Sequence, residues 1–211
     1  VVHVAGSDEP LYTAEDGRRR YRMGARHESA DPAAVLPTLE AEPTAQAEFH
    51  CFFARTDAVR DIMPLDEQLP SMNEHIDAAL RIRAGGGAVW LEPSVFVTYR
   101  APKIQPSDLR YHVLRWSPEW NRTSVRRFEE LWDIHPDDPT SEWLLRQCDY
   151  RRYRAYRPYR SVMGRLQAYR GRHSRPLPDR IFTPIIVRRE EARRRRASPP
   201  VTTHRASWDR L

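Results

Sequence analysis

The chain has 211 residues, 40% of them hydrophobic, which suits one ordinary domain or one domain with an appendage. Its formal charge of +6 is uneven: residues 1–150 carry a net −8 and residues 151–211 a net +14, so an acidic body bears a basic end. Two cysteines, Cys51 and Cys148, make neither a disulfide framework nor a metal-ligand spacing, and no apolar run approaches the roughly 20 residues of a membrane span. Reduced thiols and the missing span imply a cytoplasmic protein. The chain opens on Val1 rather than Met, in a stretch that already resembles a strand, and reads as lacking an N-terminal part. Lys103 is the single lysine, a composition that reflects base usage in the genome more than function.

Taken in order, Val1–Ala5 is apolar and predicts a strand. Asp16-Gly17 between two short flanks predicts a hairpin over Leu11–Arg22. Ala, Pro, Glu and Thr dominate from Glu28 to Ala47, which reads as an irregular loop. The aromatic segment Glu48–Arg55 suits a buried strand, and Thr56 can cap a short helix through Ile62. A loop at Pro64–Glu67 then leads to a helix capped by Ser71 or Asn73 and running to Ala84. In that helix Met72, Ile76, Ala79 and Leu80 should face a core, while Glu74, Asp77 and Arg81 share a different face. Gly85–Gly87 stops it, and Ala88–Leu91 and Ser94–Tyr99 read as strands.

Ser117-Pro118 is a cap followed by a first-turn proline, and Val125, Phe128 and Trp132 give the ensuing helix an apolar face. A further helix should begin near Ser141 and continue to Pro158, followed by a basic amphipathic segment over Tyr159–Tyr169. From His173 onward the prolines and Arg193–Arg196 read as a largely disordered tail, interrupted by one candidate strand at Ile181–Val187.

Chemistry concentrates at the acidic helix. Glu74, His75 and Asp77 can supply a general base, either a carboxylate lifted by burial or an imidazole oriented by a carboxylate. The same acids also suit a plain solvated helix N-terminus, where the macrodipole favours them. The remaining histidines form no ligand spacing, and no nucleophile motif or phosphate-cradling glycine loop is present.

Leu65-Asp66-Glu67, then Glu74 and Asp77, Arg81, Ala84-Gly85 and Pro93 together resemble the C-terminal half of the catalytic domain of family 2 glycosyltransferases. The resemblance spans residues 48–102. It implies an α/β GT-A fold lacking its N-terminal nucleotide-binding half, with residues 1–135 as the domain portion, 136–172 as a basic helical extension and 173–211 as an Arg/Pro-rich tail. It implies an inverting transfer of a sugar from a nucleotide-sugar donor to a saccharide or lipid-linked acceptor, in polysaccharide biosynthesis. Glu74, His75 and Asp77 would serve acceptor deprotonation. Asp66, Glu67, Arg81, Arg100 and Lys103 would bind substrate. The family also implies a divalent cation, Mg or Mn, whose Asp-x-Asp ligands are not in this chain, so the fragment alone would be inactive. Where the family usually has its base, directly after the Glu, this chain has His75, as in the N-acetylgalactosaminyltransferase-like subset with Glu-His-x-Asp. Where a metal-ligating His often ends the last strand, it has Tyr99.

A second reading belongs to another class. Tyr150, Tyr153, Tyr156 and Tyr159 recur every three residues among arginines. Such a tract can stack on bases and bind phosphates, lie on an anionic membrane through residues 150–170 at the inner face, or simply pack its rings and solvate its charges.

Overall fold

The computed structural model describes residues 2–5, 9–23, 25–98, 105–154 and 177–197. Contacts divide the chain into two units, Val1–Ala101 with Thr123–Trp143 and Pro102–Arg122 with Leu144–Leu211. These do not coincide with boundaries at 135 and 172.

The first unit begins with β1 (Val2–Ala5), which pairs antiparallel with β4 (Ala25–Ala30). Between them lies the predicted hairpin, β2 (Leu11–Thr13) and β3 (Arg19–Tyr21). Its turn forms at Asp16-Gly17, where Gly17 takes a φ of 75° and the Asp16 carboxylate accepts the Arg18 N–H. The stretch expected as an irregular loop instead holds β4, a short helix α1 (Pro32–Val35) capped by Asp31, a 3₁₀ turn and β5 (Glu42–Thr44). β5 pairs antiparallel with β6 (Val89–Leu91).

Two expected strands are absent. Residues 48–55 form turns and extended chain, with Phe53 88% exposed, and residues 94–98 pair with no strand. Aromatic content suggested burial, but no partner edge is offered to either segment, and an unpaired strand cannot satisfy its backbone. Among the described residues the sheets are three antiparallel pairs.

Helices α2 (Thr56–Ile62) and α3 (Glu74–Ala84) form as expected, though Arg55 rather than Thr56 stands at the α2 cap. Asn73 precedes α3 in a left-handed conformation, φ 68°, without a capping side-chain bond. The far end of α3 closes as a Schellman motif: Gly86 N–H donates to Arg83 O, Gly87 N–H donates to Ile82 O, and Gly86 has φ 83°. A Cβ on Gly87 would stand 2.8 Å from the Ile82 side chain, so the chain can turn there only as glycine. Ile62, Ala78, Ala79, Ile82, Val89 and Ala47 make the core beneath, with Phe52 and Leu65 packed on it.

Helix α5 (Pro118–Trp132) starts where Ser117 Oγ accepts the Trp120 N–H, as the Ser-Pro pair predicts. Helix α6 (Pro139–Arg154) starts two residues before the expected Ser141. Asp138 caps it, accepting the Thr140 and Ser141 N–H groups on Oδ1, and also receives the Tyr21 N–H on Oδ2. One buried carboxylate thus satisfies a helix end and a hairpin edge together.

In the second unit, α4 (Leu109–Arg115) packs on α7 (Leu177–Ala197) around the fully buried Val113. α7 corrects the expectation of a disordered tail with a strand at Ile181–Val187. Those apolar residues lie inside one 21-residue helix, because Asp179, Thr183, Val187 and Glu190 recur on its buried face at helical rather than alternating spacing. Arg152 of α6 is wholly buried. Its guanidinium donates to Asp179 at 2.6 Å, to Asp149 at 2.6 Å and to Trp116 O at 2.6 Å, and Thr183 Oγ1 donates to Asp179. Among the described residues no helix is long and apolar enough to cross a membrane.

Arg152→Ala should destabilise the protein by about 3–5 kcal/mol in urea unfolding, because Asp179 would remain buried without its cation; a loss under about 1 kcal/mol would show the pair to be dispensable. Burial pushes the Cys148 thiol up to about 12, whereas Cys51 is exposed. A disulfide reagent at pH 8 should therefore titrate one thiol in the native protein and both in denaturant, and two native thiols reacting at equal rates would contradict this burial.

Candidate functional site

The site expected from the sequence lies in the first unit, at the N-terminal end of α3 and the loop before it. Asp66 opens that loop. Its Oδ1 accepts the Gln68 N–H at 2.8 Å and its Oδ2 accepts Arg127 Nε of α5 at 2.7 Å. Glu67 beside it is exposed. Ser71, buried, donates its N–H to Ser124 Oγ of α5 at 3.0 Å. The loop is therefore pinned to α5 at both ends before α3 begins.

The three candidate bases have different fates. Asp77 is 1% exposed and its carboxylate is fully engaged. Oδ2 accepts both Nε and Nη2 of Arg81, one turn on, and Oδ1 accepts Trp132 Nε1 at 3.0 Å. Arg81 also donates Nη1 to Ile62 O at the end of α2. Burial raises the Asp77 carboxyl above its ordinary range, with Arg81 and Trp132 pulling against it. This aspartate ties α3 to α2 and α5, and no face of it is offered to a ligand. The expected shared face of Glu74, Asp77 and Arg81 is thus not a solvated one at Asp77.

Glu74 and His75 are half-buried. Glu74 turns its Oε2 inward. The His75 side chain is 17% exposed, and its Nε2 is buried and makes no hydrogen bond; the Glu48 carboxylate stands 3.8 Å from it. The other Glu48 oxygen lies 3.1 Å from His50 Nδ1. The Phe49 ring meets the His75 ring edge-on at 6.1 Å between centroids. Glu48's charge also reaches the buried Tyr21, whose hydroxyl is without a hydrogen-bond partner; burial first, then Asp138 and Glu48, push that phenol above its ordinary range.

The structure thus brings His75 to Glu48, a residue that the sequence placed in an expected strand and not among the site residues. It adds Arg127 and Trp132 as the groups that hold Asp66 and Asp77. Nothing local in the sequence marks these contacts, since Arg127 and Trp132 are 61 and 55 residues away from their partners. Arg100, Lys103 and Tyr99 lie outside the described residues. Among the described residues, no three His, Cys, Asp or Glu side chains gather to hold a metal ion.

In the second unit the Tyr/Arg tract is only partly available. Arg152 is buried in its ion-pair network and Arg151 stacks over Trp116 at 4.7 Å, while Tyr150 is 60% exposed. At Tyr150 and Arg152 it is the arginine that packs and the ring that is exposed, while Arg151 is exposed. Residues 155–170 of that tract lie outside the described residues.

No protein-family model, curated protein or solved structure matches the chain.

Asp77→Ala should cost about 3–5 kcal/mol, since it leaves Arg81 and Trp132 without their acceptor. Asp77→Ala combined with Arg81→Met should recover part of that loss. Urea denaturation of the three proteins decides it: a single mutant as stable as wild type would return Asp77 to the list of candidate bases.

Proposed function

We propose that this chain carries the acceptor side of a sugar-transfer site of the GT-A, family 2 kind, with His75 as its general base. The observation that supports this is the buried His75 Nε2, free of hydrogen bonds and 3.8 Å from Glu48, at the position after Glu74 where the resembled pattern carries its base. Asp77, the rival carboxylate, is occupied by Arg81 and Trp132.

The chemistry follows from the side chains. A hydroxyl of a saccharide or lipid-linked acceptor attacks the anomeric carbon of a nucleotide sugar. The new C–O bond forms as the bond to the diphosphate breaks, and a single in-line displacement inverts the centre. The hydroxyl proton passes to the neutral imidazole of His75, which has one ring nitrogen able to accept it. Glu48 stabilises the imidazolium that results, and Glu74 holds a second negative charge beside the acceptor. A 3.8 Å separation is long for a hydrogen bond, and tightening on substrate binding is a common feature of such pairs. Asp66 and Arg127 keep the preceding loop in register with the helix. Donor binding and neutralisation of the leaving diphosphate fall to groups outside the described residues; the 211 residues contain no Asp-x-Asp.

The test measures nucleotide release from a panel of nucleotide sugars, with and without saccharide acceptors, in a polypeptide that joins this chain to the nucleotide-binding half of a family 2 glycosyltransferase. His75→Asn should lower kcat by about 10²–10⁴ with the melting temperature unchanged, Glu48→Gln should lower it less, and Glu40→Gln, at an exposed position outside the site, should stay near wild type. Acceptor-dependent release that persists at the wild-type rate in His75→Asn would move the base to Glu74. No acceptor-dependent release from any donor would sink the sugar-transfer reading.

A further inference from the structure

We infer that the outward face of α7 is a docking surface for an anionic lipid bilayer, a conclusion independent of the sugar-transfer reading. The helix packs inward through Asp179, Thr183, Val187 and Glu190, with Ile186 against Val113. At 100° per residue the opposite face carries Ile181, Phe182 and Ile185 in its first turns and Arg188, Arg189 and Arg196 in its later ones. The three apolar side chains are 48%, 53% and 46% exposed, and the three arginines are exposed as well.

A contiguous isoleucine–phenylalanine cluster exposed to water is stabilised wherever an apolar phase covers it. The arginines continuing the same face say which phase. Arg189 and Arg196, with Ala192 and Arg193, border a shallow hollow of about 400 Å³ that suits phosphate headgroups. Apolar residues at one end and guanidiniums at the other match the boundary between acyl chains and anionic headgroups. The cluster centres, near residues 183 and 191, lie about 12 Å apart along the axis. The helix would therefore sit tilted, its first turns deeper and its last turns on the phosphates. It lies on the bilayer and does not cross it, being too charged to span. Nucleic acid is the weaker match, because isoleucine offers no stacking face to a base.

The experiment is vesicle sedimentation of the full chain. Wild type should bind vesicles containing phosphatidylglycerol and not vesicles of phosphatidylcholine alone, with affinity falling as salt rises. Arg188→Gln/Arg189→Gln/Arg196→Gln should weaken binding about 100-fold, from roughly fivefold per charge near the surface. Ile181→Ser/Phe182→Ser/Ile185→Ser should weaken it at least about 10-fold. Matching far-UV circular dichroism would confirm that both variants fold. As an independent readout, Phe182→Trp should add fluorescence that brominated anionic lipid quenches. The inference is overturned if wild type does not bind anionic vesicles, if both triple variants bind like wild type, or if the fluorescence added by Phe182→Trp is unquenched while that variant binds vesicles. It is overturned in favour of nucleic acid if the arginine variant loses duplex RNA binding while the apolar variant changes neither RNA nor vesicle binding.

Discussion

The carboxylate of Asp77 is the constraint on which the first unit depends. A charged side chain at 1% exposure is tolerable only if both oxygens are satisfied, and here Arg81 and Trp132 satisfy them. Those partners lie on α3 itself and on α5, and Arg81 reaches on to Ile62 at the end of α2. Three helices are therefore oriented by one anion. The direction in which α3 presents its first turn, with Glu74 and His75, follows from that arrangement rather than from their own contacts.

The second unit solves the same problem with the charges exchanged. There the wholly buried group is a cation, Arg152, and the satisfying groups are Asp179, Asp149 and a backbone carbonyl. Such pairs add less net stability than their short distances suggest, because desolvation offsets much of the attraction. Their larger effect is on which arrangement of helices is acceptable. Sliding α7 by one residue would set a proline or a second arginine, the sequence neighbours of Asp179, against Arg152, and neither brings an anion. The burial of Val187 and Ile186 specifies a face, and the ion pair specifies the register.

The first turns of α3 hold both engaged and unengaged polar groups. Both oxygens of the buried Asp77 carboxylate already accept hydrogen bonds. His75 has a buried nitrogen with no hydrogen bond and a carboxylate within reach. A tightly held aspartate and a histidine with an unbonded ring nitrogen thus stand within one stretch of helix. On α7 the carboxylates Asp179 and Glu190 are buried, while Ile181, Phe182, Ile185 and several arginines are exposed.

The sequence by itself determined the local elements whose signals are local. Asp16-Gly17 makes the hairpin turn, Ser117-Pro118 starts α5, and the glycine run ends α3, because each of these is a matter of backbone conformation within a few residues. It also placed Glu74 and His75 in the first turn of a helix. Only the tertiary structure decided that Glu48–Arg55 is not a strand, since a strand exists only if another edge pairs with it. It decided likewise that Ile181–Val187 belongs to a helix, since a short apolar run fits either period until its buried face is known. The choice among Glu74, His75 and Asp77 lay beyond any reading of the chain in order: a carboxylate's availability depends on what stands against it, and for Asp77 that includes Trp132, 55 residues away.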